Sequence, residues 1–202
     1  MASGMESGIN AYPEQRPTSP RACMNAMKWA RLHPLLLLAL AACATVHAPA
    51  GTTFVAVRHA EKASDGTRDP PLIEAGRARA QALSQRLAGT TLVAAYATTF
   101  RRTQQTAQPA AAMHGIAVTT YDAATPAADL AARLRAQHDR GMVLVVGHSN
   151  TVPSIVAALC ACTVAELGED DYDRIYTVRV GDDGRAALEE DRPSQPSTAT
   201  SP

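Results

Sequence analysis

Aromatic residues are scarce: Phe, Trp and Tyr make up 4% of the 202 residues, and the single tryptophan, Trp29, falls in an N-terminal segment. That leaves little from which to build stacking platforms for bases. Basic excess is absent as well, with 19 Lys+Arg against 19 Asp+Glu, so no global field attracts nucleic acid. Of the four cysteines, Cys160 and Cys162 form a C-x-C pair with no further Cys or His nearby, a poor zinc site. A bond between residues two apart is strained, so the pair reads as two semi-buried thiols at a helix end. No carboxylate cluster points to a metal, and no metal or cofactor is expected. No apolar run is long enough to span a bilayer comfortably.

What the N-terminal region does have is a leader pattern. Lys28-Trp29-Ala30-Arg31 is a positive n-region, Leu35 to Leu40 is apolar, and Ala41-Ala42 precede Cys43. This reads as a signal peptide over 27–42. Leu40-Ala41-Ala42-Cys43 resembles the lipobox of bacterial lipoproteins. The resemblance implies cleavage before Cys43, lipidation of its thiol and a periplasmic location on a membrane, with Ala44 favouring the outer one. The alternative is an ordinary signal peptide cut near Ala48 or Ala50, giving a soluble periplasmic protein. Residues 1–26 read as a disordered leader or a mis-assigned start, 43–52 as a tether, 53–190 as one folded domain, and 191–202, rich in Pro, Ser and Thr, as a disordered tail. Four Lys+Arg and two Asp+Glu lie in the first 42 residues, so the mature chain carries a net charge near −2.

Within the domain, apolar runs alternate with helical spacings. Strands are expected at 53–58, 91–97, 116–120, 142–146, 172–180 and 185–189. Helices are expected at 73–87, ended by Gly89, and at 101–114, ended by Gly115 and kinked or split by Pro109. Two more are expected at 126–138, with Thr125 as N-cap and Pro126 at the first helical position, and at 151–159. Asp182-Asp183-Gly184 reads as the turn of a closing hairpin. The order predicts an α/β fold of three layers, α/β/α, around a mixed, mostly parallel sheet.

The chemistry gathers where strands end. The first run delivers Arg58-His59-Ala60-Glu61 and the fourth delivers Gly147-His148-Ser149-Asn150, both at carboxyl ends, where such sheets build their sites. A third segment, Thr98-Thr99-Phe100-Arg101-Arg102-Thr103-Gln104-Gln105-Thr106-Ala107, opens a helix. Two histidines and an arginine suit an anion. Together these segments resemble the histidine phosphatase superfamily, also called phosphoglycerate mutase-like. R-H-A-E is similar to its R-H-G motif, T-T-F-R-R-T-x-x-T-A to S-x-L-x-R-A-x-x-T-A, and G-H-S-N to its second-histidine motif. Leu72-Ile73-Glu74-Ala75-Gly76 is similar to its L-T-x-x-G helix start.

The resemblance implies a phosphomonoester hydrolase acting through a phosphohistidine on His59. Arg58 and Arg102 would clamp phosphate oxygens, a protonated His148 would add a further cationic donor, and Asn150 with the following helix N-terminus would add neutral ones. Arg101 reads as a rim residue, and Thr103 and Thr106 as supports of the helix start. Asp122, the first carboxylate after Arg102, is the candidate proton donor, with a turn as its other reading and Glu61 and Asp69 as fallbacks. If none serves, substrates with good leaving groups, such as phosphohistidine or aryl phosphates, are favoured. The expected partners are a small phosphorylated substrate or a phosphoprotein, and a membrane through Cys43, with no nucleic acid. The short stretch between Ala107 and Leu130 favours hydrolysis over mutase chemistry.

Two other functions fit parts of the sequence. One is a phosphate-ester-binding module with little turnover. The other is a serine esterase, because Gly147-His148-Ser149-Asn150-Thr151 also resembles a G-x-S-x-G elbow with Ser149 as nucleophile. No histidine follows His148, so that esterase lacks a base in the required order.

Overall fold

A computed structural model describes residues 51–192. The leader, signal segment, Cys43 and nearly all of the tether lie outside the described residues, as does the tail from residue 193. The described elements are β1 (Thr52–Arg58), α1 (Glu74–Leu87), β2 (Leu92–Thr98), α2 (Arg101–Met113), β3 (Val118–Tyr121), α3 (Ala127–Gln137), β4 (Gly141–Gly147), α4 (Val152–Cys160), β5 (Ile175–Val180) and β6 (Ala186–Asp191). They form one six-stranded sheet in the order β3-β2-β4-β1-β5-β6. β1 to β4 run parallel, while β5 and β6 add an antiparallel edge. The expected mixed, mostly parallel sheet is the one observed.

Alternation along the strands sorts the core into two layers. Phe54, Ala56, Tyr96, Val143 and Val145 pack with α3 and α4. Val55, Val57, Ala95, Ala97, Leu144 and Val146 pack with α1 and α2. Both faces of β1 and β4 are therefore apolar, as strands buried on two sides require.

Several boundaries differ from expectation, each for a local reason. Pro126 is itself the N-cap of α3, and Thr125 makes no cap. Pro109 sits inside an unsplit α2. Gly115, at φ 66°, ends that helix as expected, whereas α1 closes on Ala88 with helical backbone and Gly89 is not left-handed. β5 begins only at Ile175, and Tyr172 lies outside the ladder with its ring 4.2 Å from the Arg58 guanidinium. Asp191 pairs with Ile175 at the end of β6, so the folded domain reaches one residue into the expected tail.

Cys160 and Cys162 are joined by a disulfide, which corrects their reading as free thiols. Ala161 between them is left-handed (φ 52°, ψ 40°) and serves as the C-cap of α4. That backbone brings the two Cα atoms to 5.2 Å, inside the usual range for a bridge.

Candidate active site

β1 and β4 are neighbours, and their register sets Arg58 opposite Gly147. The His59 N–H donates to the Gly147 carbonyl at 2.9 Å. Two strand ends thus deliver His59 and His148 side by side, with ring centroids 5.5 Å apart in an edge-on arrangement. A pocket of about 340 Å³ opens there, lined by Arg58, His59, Lys62, Phe100, Arg102, Ala123, His148, Ser149, Asn150, Thr151 and Glu169.

His59 is 3% exposed. Its Nδ1 lies 2.8 Å from the Ala60 carbonyl. A carbonyl only accepts, so Nδ1 carries the hydrogen and Nε2 keeps its lone pair. Burial pulls its pKa down to about 3; the Ala60 bond opposes this, while Arg58, His148 and Arg102 add to it. The imidazole is neutral at physiological pH, as a nucleophile must be. The Ala60 N–H is held by Thr106 Oγ1 at 2.9 Å, and the Thr106 hydroxyl donates to the Arg102 carbonyl at 2.7 Å. Thr106 therefore ties the loop after β1 to the first turn of α2.

His148 is set by a relay from β2. The Thr103 hydroxyl donates to the Phe100 carbonyl at 2.8 Å, and Thr98 and Thr103 share a 2.8 Å bond. With the Thr103 proton so engaged, Thr98 donates to Thr103 and its oxygen accepts from His148 Nε2 at 3.1 Å. Nδ1 is left as the site that takes a further proton. Burial, then the charges of Arg102 and Arg58, lower the His148 pKa to about 4. A pKa of about 4 favours the neutral ring in the free protein at physiological pH. Phe100 walls it at 5.3 Å, perpendicular, and lies beneath the Arg102 guanidinium at 4.2 Å.

The arginines are only partly engaged. Arg58 is 4% exposed; its Nη1 donates to the carbonyls of Gly168 (2.8 Å) and Glu169 (2.6 Å), and its Cζ lies 4.2 Å over the Tyr172 ring. Its Nε is buried without a partner. Arg102 stands 3.8 Å from Asp69, and its Nε too is buried and unpartnered. Buried donors are rarely left unmade, and two such donors at one cationic pocket fit an oxyanion. Nη1 of Arg58 is committed to carbonyls, and Nη2 reaches Glu169 Oε2 at 3.4 Å and the Tyr172 hydroxyl at 3.5 Å.

The remaining expected residues fall into place differently. Asn150 lines the pocket. The helix N-terminus behind it offers less than expected, since the Val152 N–H bonds the His148 carbonyl and Pro153 has none to give. Asp122 does not line the pocket: its Oδ1 accepts from the Ala124 N–H at 2.9 Å, closing a turn, and Ala123 occupies the wall instead. Glu61 is gripped by Arg79 through three bonds of 2.6 to 3.1 Å. Asp69 accepts from the Arg101 N–H at 2.8 Å. Ser149 Oγ reaches Glu169 at 3.5 Å, while the neighbouring imidazole, His148, is bonded to Thr98, so no triad forms. Glu169 and Tyr172 were not legible beforehand; the charged, irregular stretch 168–173 after α4 was the available signal. Among the described residues, no group of three or more His, Cys, Asp or Glu could hold a metal ion.

Residues 54–125 match the family model of the histidine phosphatase superfamily (branch 1). The fold is shared with solved structures. The protein histidine phosphatase SixA in complex with tungstate aligns with a TM-score of 0.59 at 21% identity, covering 70% of this chain and 97% of that one. A mycobacterial glucosyl-3-phosphoglycerate phosphatase aligns at 0.57 and 16% identity, covering 71% and 100%. A SixA-type phosphohistidine phosphatase from Nakamurella multipartitia aligns at 0.52 and 24%, covering 72% and 98%. No curated protein matches the chain.

Proposed function

We propose that this chain, a histidine phosphatase superfamily domain by its family match and its fold, is a phosphomonoester hydrolase that works without a metal through a phosphohistidine on His59. The carrying observation is the His59 tautomer. Nδ1–H is fixed on the Ala60 carbonyl, and the free Nε2 lone pair belongs to a pocket with two unpartnered arginine Nε donors. Phosphoryl transfer asks mainly for such positioning and for charge around the equatorial oxygens. Nε2 attacks phosphorus as the bond to the leaving group breaks, P–O in an aryl phosphate or P–N in a phosphohistidine substrate; the aryl oxide departs as its anion and takes a proton from water, and a histidine protonated on its other nitrogen departs neutral. Water then attacks the phosphohistidine, releasing phosphate and restoring the neutral ring. His148 takes up a proton at Nδ1 as the dianion binds, becoming the cationic donor it is not in the free pocket.

Asp122 is engaged in its turn, which supports substrates whose leaving groups depart easily: aryl phosphates, or phosphohistidine on a small molecule or a protein. The likeness to the SixA phosphatases supports the same class. The segment Leu40-Ala41-Ala42-Cys43 supports export to the periplasmic side of a bacterial membrane, with a lipid anchor on Cys43 or, if cut further on, as a soluble periplasmic protein.

The test is hydrolysis of p-nitrophenyl phosphate by residues 44–192. Turnover should persist in EDTA, be competed by vanadate, and fall by about a thousandfold or more in His59→Ala, since a nucleophile is lost. Loss of activity in EDTA, or unchanged activity in His59→Ala, would overturn the proposal.

A further inference from the structure

The pocket is unevenly charged. Arg58 and Arg102 make its inner wall cationic, yet a carboxylate, Glu169, also lines it. That side chain is 88% exposed, but its position is defined. Oε2 lies 3.4 Å from Arg58 Nη2, Ser149 Oγ reaches Oε1 at 3.5 Å, and the Glu169 carbonyl accepts Arg58 Nη1 at 2.6 Å. The backbone anchor and the side-chain contacts hold the charge beside the arginine that would grip phosphate. Toward the phosphate itself this charge is unfavourable, because like charges repel. Toward the rest of the substrate it discriminates: a cation a few ångströms from phosphorus is attracted, and an acidic group is repelled.

We propose that Glu169 makes this pocket prefer phosphorylated substrates whose leaving group carries a nitrogen cation, an ammonium or an imidazolium. The proposal rests on the phosphate-ester reading of the pocket and adds the class of leaving group. Glu169 acts as a specificity residue and takes no part in the transfer. Lys62 lines the same pocket with the opposite charge and provides the control.

The probes are phosphocholine and 3,3-dimethylbutyl phosphate, which share a shape and differ by a quaternary nitrogen in place of a carbon. Their affinities are measured by calorimetry on the full chain carrying His59→Ala, so that neither is consumed. Phosphocholine should bind roughly twofold to fivefold more tightly, the range of an exposed ion pair. Adding Glu169→Gln should bring the ratio close to one, whereas Lys62→Gln should raise it or leave it unchanged. Equal affinities with Glu169 present, a ratio unmoved by Glu169→Gln, or no binding of either probe would overturn the proposal. p-Nitrophenyl phosphate turnover by the chain with His59 intact is the separate test of hydrolysis. Its failure with the affinity ratio intact would remove the hydrolase reading and leave the cation preference standing.

Discussion

The proposed mechanism gives His148 a conditional charge, neutral in the free pocket and cationic once a dianion is bound. Burial and two guanidinium groups press its pKa to about 4. A bound dianion reverses the sign of the local field and raises it. Tungstate, a dianion at neutral pH, should therefore bind with uptake of about one proton. The uptake is read from the dependence of calorimetric binding enthalpy on the ionisation enthalpy of the buffer, and it should vanish in His148→Asn. Binding with no proton uptake in the unmutated chain would mean that His148 stays neutral and, with its Nε2–H on Thr98, gives the anion no hydrogen bond. The residues of this device were legible because each closes a strand or opens a helix beside a recognisable motif. Its charge state was not, since burial and neighbouring charge are properties of the folded pocket.

At the scale of elements, the site depends on close contact between the loop after β1 and the start of α1. A Cβ on Gly76 would come within 2.2 Å of the Glu61 carbonyl oxygen. Gly76→Ala must push that loop, and with it His59, or move α1. It should cost about 1–3 kcal/mol or more of stability, measured by urea denaturation, and should lower kcat/KM in the same variant. A variant as stable as the parent would show that the loop yields freely. Motif and periodicity gave the strands and helices to within a few residues, because two-sided burial and capping leave marks in the chain. The segment between α4 and β5 left no such mark. It has no periodicity, and it reaches Arg58 across more than 100 residues of sequence. Glu169, Tyr172 and the left-handed Ala161 that permits the Cys160–Cys162 bridge all belong to that segment. Asp122 misled for the opposite reason: turn formation competes locally for the same side chain.

For the whole molecule, two buried neutral histidines link stability to pH. Each titrates at 6.5 in the unfolded chain and at about 3 (His59) or about 4 (His148) when folded. Between those values the unfolded state binds more protons, so folding stability falls as pH drops from 6.5 toward 3. Glu61, held below its usual range by Arg79 against the effect of burial, adds a further loss at the acid end. Melting temperature should decline steadily below pH 6.5, and less steeply in His148→Asn. The same slope in His148→Asn as in the parent would show that the His148 ring is not buried neutral. The catalytic account requires the same neutrality, because a protonated His59 cannot attack.

The most direct measurement is chemical trapping of the intermediate. The chain is mixed with a 32P-labelled aryl phosphate, quenched in alkali after milliseconds, digested and mapped. A phosphohistidine on His59 gives a label that survives alkali, is lost in acid, sits on the peptide containing His59, and is missing from His59→Ala. An alkali-labile label on Ser149, or turnover with no labelled protein at any time, would contradict it.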